Sequence, residues 1–185
     1  MPRRYRRRRY AIARPLKTAK YSNETYAGEV HLNANQLRAS MVIVPETQIL
    51  ATRKVKNLTI RLNVAQISFT LHGQATDLSS HDAPFNVLFA AVYVPQGTTP
   101  DVLHIANVPT QGTVTTAVSL YEPNQNVIMS GMINPYQPTT VKTRLARNLN
   151  SGDQVYLVFL LSYNTLDLDD LNLIIDGTAN YAISY

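Results

Sequence analysis

Residues 85–94 read FNVLFAAVYV, a run that is apolar except for one asparagine. Pro95, Gln96 and Gly97 follow it, and proline and glycine favour turns. A short continuous apolar run that ends at turn residues is typical of a strand that is buried on both faces or lies at the centre of a sheet. We therefore predict a buried β-strand at 85–94.

Similar short runs lie on both sides of this strand and are separated by turn residues. The ten prolines and seven glycines fall mostly between them, and no stretch keeps a helical period for more than about two turns. The further predicted strands are 39–44, 52–63, 65–71, 102–108, 113–121, 127–133, 141–149, 154–163 and 171–185. This pattern predicts an all-β domain, a two-sheet antiparallel β-sandwich with either Greek-key or jelly-roll connections.

The charge is divided unequally along the chain. The first twenty residues hold nine of the seventeen Lys and Arg residues and no acid. From residue 21 onward, eight Lys/Arg stand against twelve Asp/Glu, so this part has a net charge of −4 while the whole chain has +5. A block of like charge without apolar periodicity buries too little surface to offset its chain entropy. We therefore predict a disordered basic arm, residues 1–24, and a globular domain, residues 25–185.

The composition of the arm favours nucleic acid as its partner. Most of its cations are Arg, whose planar guanidinium matches phosphate, and its tyrosines can stack on unpaired bases. The predicted nucleic-acid-binding residues of the arm are Arg3, Arg4, Tyr5, Arg6, Arg7, Arg8, Arg9, Tyr10, Arg14, Lys17 and Lys20. Membrane binding would need apolar anchors, of which the arm has only Ile12 and Leu16. A nuclear localisation signal and a solubilising tail are the alternatives, and the first is compatible with binding nucleic acid.

A second basic set lies within the predicted domain. Its members fall in two predicted strands: Arg53, Lys54, Lys56, Arg61, Lys142, Arg144 and Arg147. Because residues i and i+2 of a strand share a face, we expect Lys54 and Lys56 on one face. By the same rule, Arg53 and Arg61 lie on the other. Lys142 and Arg144 also share a face, and Arg147 lies on the opposite face. Lys54, Lys56, Lys142 and Arg144 are therefore candidate phosphate contacts, and the alternative is a set of solvated positions that discourage aggregation or pair with acids.

Neither catalysis nor metal binding is predicted. The chain has no Cys, and it lacks a Gly-x-Ser-x-Gly elbow, a Gly-rich phosphate loop and an HExxH pair. The acidic residues Asp167, Asp169, Asp170 and Asp176 could begin a calcium site, but they lack the glycine and the spacing of an EF-hand. A solvated turn or a contact with Arg of another subunit is favoured for them. We expect no enzyme activity, no cofactor and no metal.

The Arg/Tyr-rich amino terminus that leads straight into a sandwich resembles the coat proteins of small circular single-stranded DNA viruses, the circovirus-like group. Residues 144–159 (RLARNLNSGDQVYLVF) are similar to the penultimate strand pairing of these capsids, where Ser151-Gly152-Asp153 would form the turn. Residues 92–103 (VYVPQGTTPDVL) are similar to the satellite tobacco necrosis virus type of coat protein. The motifs cover only part of the chain, whereas the similarity in architecture covers all of it.

The resemblance implies a single jelly-roll subunit that self-associates into the simplest icosahedral shell, T=1 with about 60 copies. It implies an arm that binds a single-stranded DNA genome and a location in the virion and, during infection, the host nucleus, reached through a host nuclear import receptor. The satellite-type similarity lies with RNA viruses, so an RNA genome stays open. No membrane partner is expected.

Two features of the composition also favour subunit contacts. Charged residues make up 16% of the chain, against a usual value of about 25%. The loops at 73–84, 95–101, 107–112 and 134–140 are rich in Pro, Thr and Gln, which suits polar interfaces. The alternative class is a non-viral nucleic-acid-binding module with a basic tail, of the ribosomal or chromatin-associated type.

Overall fold

The computed structural model describes residues 20–48, 50–71, 74–76, 85–98, 126–144, 146–163 and 168–184. Within these ranges the chain forms strands and no helix, so none of the described residues belongs to a helix that could cross a membrane. The strands are β1 (Ser22–Asn33), β2 (Arg38–Val44), β3 (Arg53–Leu71), β4 (Gln74–Thr76), β5 (Phe85–Val94), β6 (Val127–Ile133), β7 (Thr139–Lys142), β8 (Arg147–Leu149), β9 (Gln154–Tyr163) and β10 (Leu168–Ser184).

The strands form two antiparallel sheets. The six-stranded sheet has the order β1-β10-β3-β4, and β7 and β8 also pair with β3. The four-stranded sheet has the order β2-β9-β5-β6. Strands β8, β7 and β4 pair with successive segments of the same side of β3, so β7 and β8 together take the place of one long strand. The first strand then pairs with the last and the second with the last but one, which is the jelly-roll arrangement. The predicted fold class is confirmed.

The core lies between the two sheets and is made of large apolar side chains from both. Its largest fully buried members are Phe89, Phe159, Leu32, Ile43, Leu58, Ile60, Leu62, Leu149, Leu157, Leu161, Leu171 and Leu173. The run at 85–94 contributes to both of its faces. Phe89 belongs to the core between the sheets, whereas Ala90 and Val92 belong to a smaller apolar cluster on the opposite face of β5. The prediction of a strand that is buried on both faces or lies at the centre of a sheet is confirmed, and β5 has both properties.

Several strand predictions match the structure closely. The boundaries predicted for 85–94, 127–133 and 154–163 are those of β5, β6 and β9. The two strands predicted at 52–63 and 65–71 are one long strand, β3, because both segments pair with β10. The single strand predicted at 141–149 is wrong, since Thr143, Arg144 and Ala146 belong to no strand and separate β7 from β8. The strands predicted at 102–108 and 113–121 lie outside the described residues.

Strand β1 was not predicted. Its alternating pattern is weak because Gly28 stands at one of the positions that face the other sheet, next to the buried Val30. Gly28 lies opposite Gly177 of β10, and the Cε atom of Met41 packs against both sites. Because Gly28 and Gly177 have no side chains, the Met41 side chain of β2 packs close to the backbone of the six-stranded sheet at this point. Strand β1 forms because it pairs with β10 along its whole length, from Ser22 to Asn33, and not because its own sequence has a strong strand pattern.

Candidate nucleic-acid interface

The outer face of the six-stranded sheet, which is turned away from the other sheet, presents the lysines of β3. Arg53 and Val55 are buried, whereas Lys54 is exposed and Lys56 is half-buried, as strand alternation requires. Lys54 pairs with Ser184 of β10, and Lys56 pairs with Ala182. Both lysines therefore lie on the outer face, near the end of the sandwich where β1 and β3 begin. We call this end the arm end.

The expectation that Arg61 shares a face with Arg53 is wrong, because β3 contains a bulge. Asn57 has a φ of +55°, and the pairing of β3 with β10 slips by one residue beside it. An extra residue in one strand reverses the alternation of the residues that follow. Leu58 and Ile60 consequently point into the core, and Arg61 is exposed on the outer face together with the two lysines.

Lys142 and Arg144 approach the same region from the neighbouring strand. Lys142 is exposed and pairs with Thr59 of β3, whose side chain is on the outer face. Arg144 is exposed and follows Thr143, whose backbone N–H donates a hydrogen bond to the carbonyl of Leu58 over 2.9 Å. The structure therefore places Lys142 and Arg144, at the end of β7, beside the basic residues of β3. We call the four outer-face cations, Lys54, Lys56, Arg61 and Lys142, the basic face.

The described chain begins beside the basic face. Lys20 is exposed, and Tyr21 lies just before β1. The Nζ atom of Lys56 lies 3.5 Å from the centroid of the Tyr21 ring, a cation–π contact that reaches across the end of β10. Ala182 of β10 lies between the two strands at this level and is buried. The remaining predicted residues of the arm, from Arg3 to Lys17, lie outside the described residues.

Acidic residues occupy the other half of the same outer face. Glu29 of β1 lies directly opposite Asp176 of β10, and Asp170 stands further from the arm end. Like charges placed opposite each other in a sheet repel. The Oε1 of Glu29 also lies 3.3 Å from Nε2 of His31, within hydrogen-bonding distance. Among the described residues, no carboxylate lies within ion-pair distance of the basic face. The outer face is thus positive at the arm end and negative beyond it.

Arg53 does not belong to this surface. It is 3% exposed, and its two terminal nitrogens donate to the backbone carbonyls of Pro45 and Asp153. Its Nε has no hydrogen-bond partner among the described residues. The guanidinium therefore joins two loops at the arm end inside the fold, a role that the charge of the residue does not reveal in the sequence.

The turn expected at Ser151-Gly152-Asp153 is present and is held by the carboxylate of Asp153. Gly152 has a φ of +79°, which favours glycine. The carboxylate of Asp153 accepts hydrogen bonds from the backbone N–H of Asn150 at 2.7 Å and of Gln96 at 3.1 Å, and from the hydroxyl of Tyr93 at 2.7 Å. One buried acid thus organises the turn before β9 and the residues after β5.

Burial raises the pKa of the Tyr93 phenol to about 12, and the hydrogen bond to Asp153 and the charge of that carboxylate act in the same direction. The positive charge of Arg147 lowers this pKa and so opposes the other effects. Val55, the partner of Arg147 in β3, points into the sandwich, so Arg147 lies on the inner side of β8. The phenol therefore stays protonated at neutral pH, with a cation close enough to influence it.

The acidic cluster and the histidines show no metal centre within the described ranges. No group of three or more potential metal ligands occurs there. Asp170 and Asp176 are exposed residues of β10 and not of a turn, because β10 begins at Leu168, earlier than predicted. The side chains of Asp167 and Asp169 lie outside the described residues, as do His72, His81 and His104.

No protein-family model and no curated protein matches the chain. Among solved structures, the chain is similar to a protein in the structure of the infectious bursal disease virus Gx strain, with a TM-score of 0.37 and 4% identity. This match covers 88% of this chain but 32% of the other, so the chain spans about a third of that protein's length. It is also similar to a protein of desmodium yellow mottle tymovirus, with a TM-score of 0.31, 12% identity and 95% of each chain covered. The jelly-roll assignment rests on the strand order described above.

Proposed function

We propose that the chain is a viral coat protein, in which the sandwich forms the shell and the basic arm, together with the basic face, binds the genome. The observation that carries this proposal is the point at which the arm joins the domain. Tyr21 contacts Lys56, so the described chain starts on the one sheet face that presents four cations at the arm end. Phosphates that bind the arm would therefore meet further cations on the domain without a gap.

The charge distribution supports nucleic acid over an acidic protein as the partner. In this proposal the arm and the basic face form one positive region, while the rest of the chain is acidic overall. A polyanion with evenly spaced phosphates can neutralise this region along its whole length, and each contact releases counterions. If all nine arm charges contact a single strand, the slope of log K against log salt would be about −6.

Exposed apolar side chains at two places support self-association. Met132 and Tyr136 are 56% and 55% exposed at the edge of the four-stranded sheet and in the loop that follows it. Leu50, at the arm end, is 97% exposed. These groups stand at opposite ends of the sandwich, so a contact between them would be head-to-tail, the kind that closes into rings. Such contacts suit a subunit of a closed shell.

The size of the shell, the type of genome and the location in the cell are proposed from the resemblance to circovirus-like capsids. We propose a T=1 shell of about 60 copies that packages single-stranded DNA and is located in the virion and the host nucleus, with the arm also binding a nuclear import receptor. Lys54, Lys56, Lys142 and Arg144 extend on the domain the phosphate contacts of the arm, to which Lys20 belongs.

Negative-stain electron microscopy of the purified full-length protein, combined with the ratio of absorbance at 260 and 280 nm before and after nuclease treatment, tests the proposal. We expect uniform spherical particles whose nucleic acid is protected from nuclease. A variant with Arg6, Arg7, Arg8 and Arg9 all changed to Gln should give particles with much less nucleic acid, or none. A monomer that binds nucleic acid only as a salt-sensitive complex would contradict the proposal and favour the binding-module alternative. Digestion of the extracted cargo with DNase and with RNase distinguishes the genome types.

A further inference from the structure

A cleft opens at the arm end, between the two sheets. Among the described strands, β8 is the outermost of the six-stranded sheet here, and β6 is the outermost of the other sheet. The backbone N–H of Tyr93 donates to the carbonyl of Asn126, just before β6, over 2.9 Å. The cavity has a volume of about 350 Å³, within the range of small-molecule sites. It is lined by Lys54, Tyr93, Asn126, Ala146, Arg147 and Asn148.

The walls of this cleft combine three kinds of group. Lys54 and Arg147 supply two positive charges, and none of the described carboxylates forms an ion pair with either. Asn126 and Asn148 supply side-chain amides, each of which both donates and accepts hydrogen bonds. Tyr93 supplies an aromatic ring whose hydroxyl is already bound to Asp153.

Asp153 forms no ion pair with either cation of the cleft. The carboxylate of Asp153 accepts three hydrogen bonds, from Tyr93 and from two backbone N–H groups. Arg147 lies on the inner side of β8, facing the region of Tyr93, and its charge acts on the phenol. Two cations therefore share a partly enclosed space without a described counter-ion, an arrangement that favours an anionic ligand.

We propose that this cleft binds one nucleotide of a single-stranded nucleic acid. The phosphate contacts Lys54 and Arg147, the base lies against the Tyr93 ring, and the two Asn amides contact the polar edge of the base. Each wall group has a counterpart in a nucleotide: a charge for the phosphate, a flat apolar surface for the base, and donors and acceptors for its edge. An inorganic anion would use only the first of these.

The position of Lys54 connects the cleft to the rest of the interface. Lys54 lies on the basic face beside Asn148, its partner in β8, and these two residues line the cleft from the outer side, whereas Arg147 lines it from the inner side of β8. A strand that crosses the basic face can therefore place one unpaired nucleotide in the cleft without leaving the protein surface. This inference rests on the proposed function in assuming that the natural ligand is nucleic acid. It goes beyond it in assigning Arg147 and Tyr93, neither of which was selected from the sequence.

Titration of the full-length protein with thymidine monophosphate, followed by NMR or calorimetry, tests the site, with thymidine and inorganic phosphate as comparison probes. We expect the nucleotide to bind more tightly than either comparison probe. Arg147→Gln should weaken nucleotide binding at least about fivefold, since it removes a charge-assisted contact. Arg38→Gln removes the same charge from an exposed site at the start of β2, outside both the cleft and the basic face, and should change binding less than about twofold.

Two results would overturn the proposal. One is an equal loss of nucleotide affinity in the two variants, and the other is a nucleotide affinity no higher than that of inorganic phosphate. A position-specific measurement is crosslinking of an oligonucleotide that contains 5-iodouracil, with the crosslinked peptide identified by mass spectrometry. We expect the peptide that contains Tyr93, and crosslinks confined to the arm would contradict the site.

The failure of this inference can be told apart from failure of the coat-protein proposal. Particles that package nucleic acid, in a protein whose cleft does not bind the nucleotide, would reject only the cleft. A protein that binds the nucleotide with the expected Arg147 dependence but never assembles would reject the coat-protein function and leave the site intact.

Discussion

The ammonium group of Lys56 lies 3.5 Å from the centroid of the Tyr21 ring, across the end of β10. This contact joins the residue that precedes β1 to the strand two places away in the same sheet. It holds Tyr21, the residue before β1, against the positive half of the outer face.

A double-mutant cycle with Tyr21→Leu and Lys56→Gln should measure this contact. We expect a coupling free energy of about 0.5–1 kcal/mol in urea unfolding, because the ammonium group loses the aromatic ring in one variant and the ring loses the cation in the other. The same cycle with Lys54→Gln in place of Lys56→Gln is the control and should give a coupling near zero. Equal coupling energies in the two cycles would show that the effect is general electrostatics.

Removing charge from the basic face should reduce the salt dependence of single-stranded DNA binding. Each phosphate contact contributes about 0.7 to the slope of log K against log salt, so Lys54→Gln, Lys56→Gln and Lys142→Gln combined should lower its magnitude by about 2. Arg61→Gln alone should lower it by about 0.7, because the bulge at Asn57 places it on the same face. Fluorescence anisotropy of a labelled oligonucleotide over a series of salt concentrations measures these slopes.

Arg38→Gln is the matched control for this experiment. Arg38 is an exposed arginine at the start of β2, in the other sheet, so its removal should leave the slope unchanged. A slope that falls as much for Arg38→Gln as for Arg61→Gln would mean that total charge, and not the basic face, determines binding.

Gly152→Ala should destabilise the protein more than Gly97→Ala, although both glycines have a positive φ, +79° and +77°. An added Cβ at Gly97 meets nothing within 4 Å, so the cost is that of the backbone conformation alone, about 1 kcal/mol. At Gly152 the new Cβ would lie 2.5 Å from Cγ and 2.9 Å from Cβ of Gln96, so rotating that side chain does not relieve the clash. We expect a cost of roughly 2–3 kcal/mol in chemical denaturation. Equal costs would contradict the packing of the turn against Gln96.

The stability of the protein should fall at high pH through Tyr93. Its pKa is raised from 10.0 to about 12 in the folded protein, so the folded state holds the phenol proton more tightly than the unfolded state. The resulting stabilisation is complete below about pH 10 and is lost as the pH rises toward 12. The difference in free energy of unfolding between the wild type and Tyr93→Phe should therefore shrink over this range. A difference that stays constant from pH 9 to 12 would contradict the raised pKa.

The sequence predicted the strands that carry their own signal. Three of these strands are apolar runs with turn residues at both ends: 85–94, 127–133 and 154–163. Such a local pattern is enough to predict a strand that is buried between its neighbours. Strand β1 carries little of this signal, since Gly28 interrupts its apolar positions and its pairing with β10 defines it. The candidate residues Lys54, Lys56 and Lys142 were found by charge and spacing, whereas Arg147 and Tyr93 were not, because the cleft that they line forms between two sheets.

By itself, the sequence determined the all-β class and the concentration of positive charge in the first twenty residues, because composition and local periodicity are properties of neighbouring residues. Only the tertiary structure decided which cations share a surface. The bulge at Asn57 turns Arg61 outward, and loop carbonyls from Pro45 and Asp153 draw Arg53 inward. Both effects depend on partners that are distant in the chain. The pairing of β3 with β10 shifts by one residue at the bulge, which turns Arg61 outward. Folding also brings two backbone carbonyls together around Arg53, and they stabilise its guanidinium away from water.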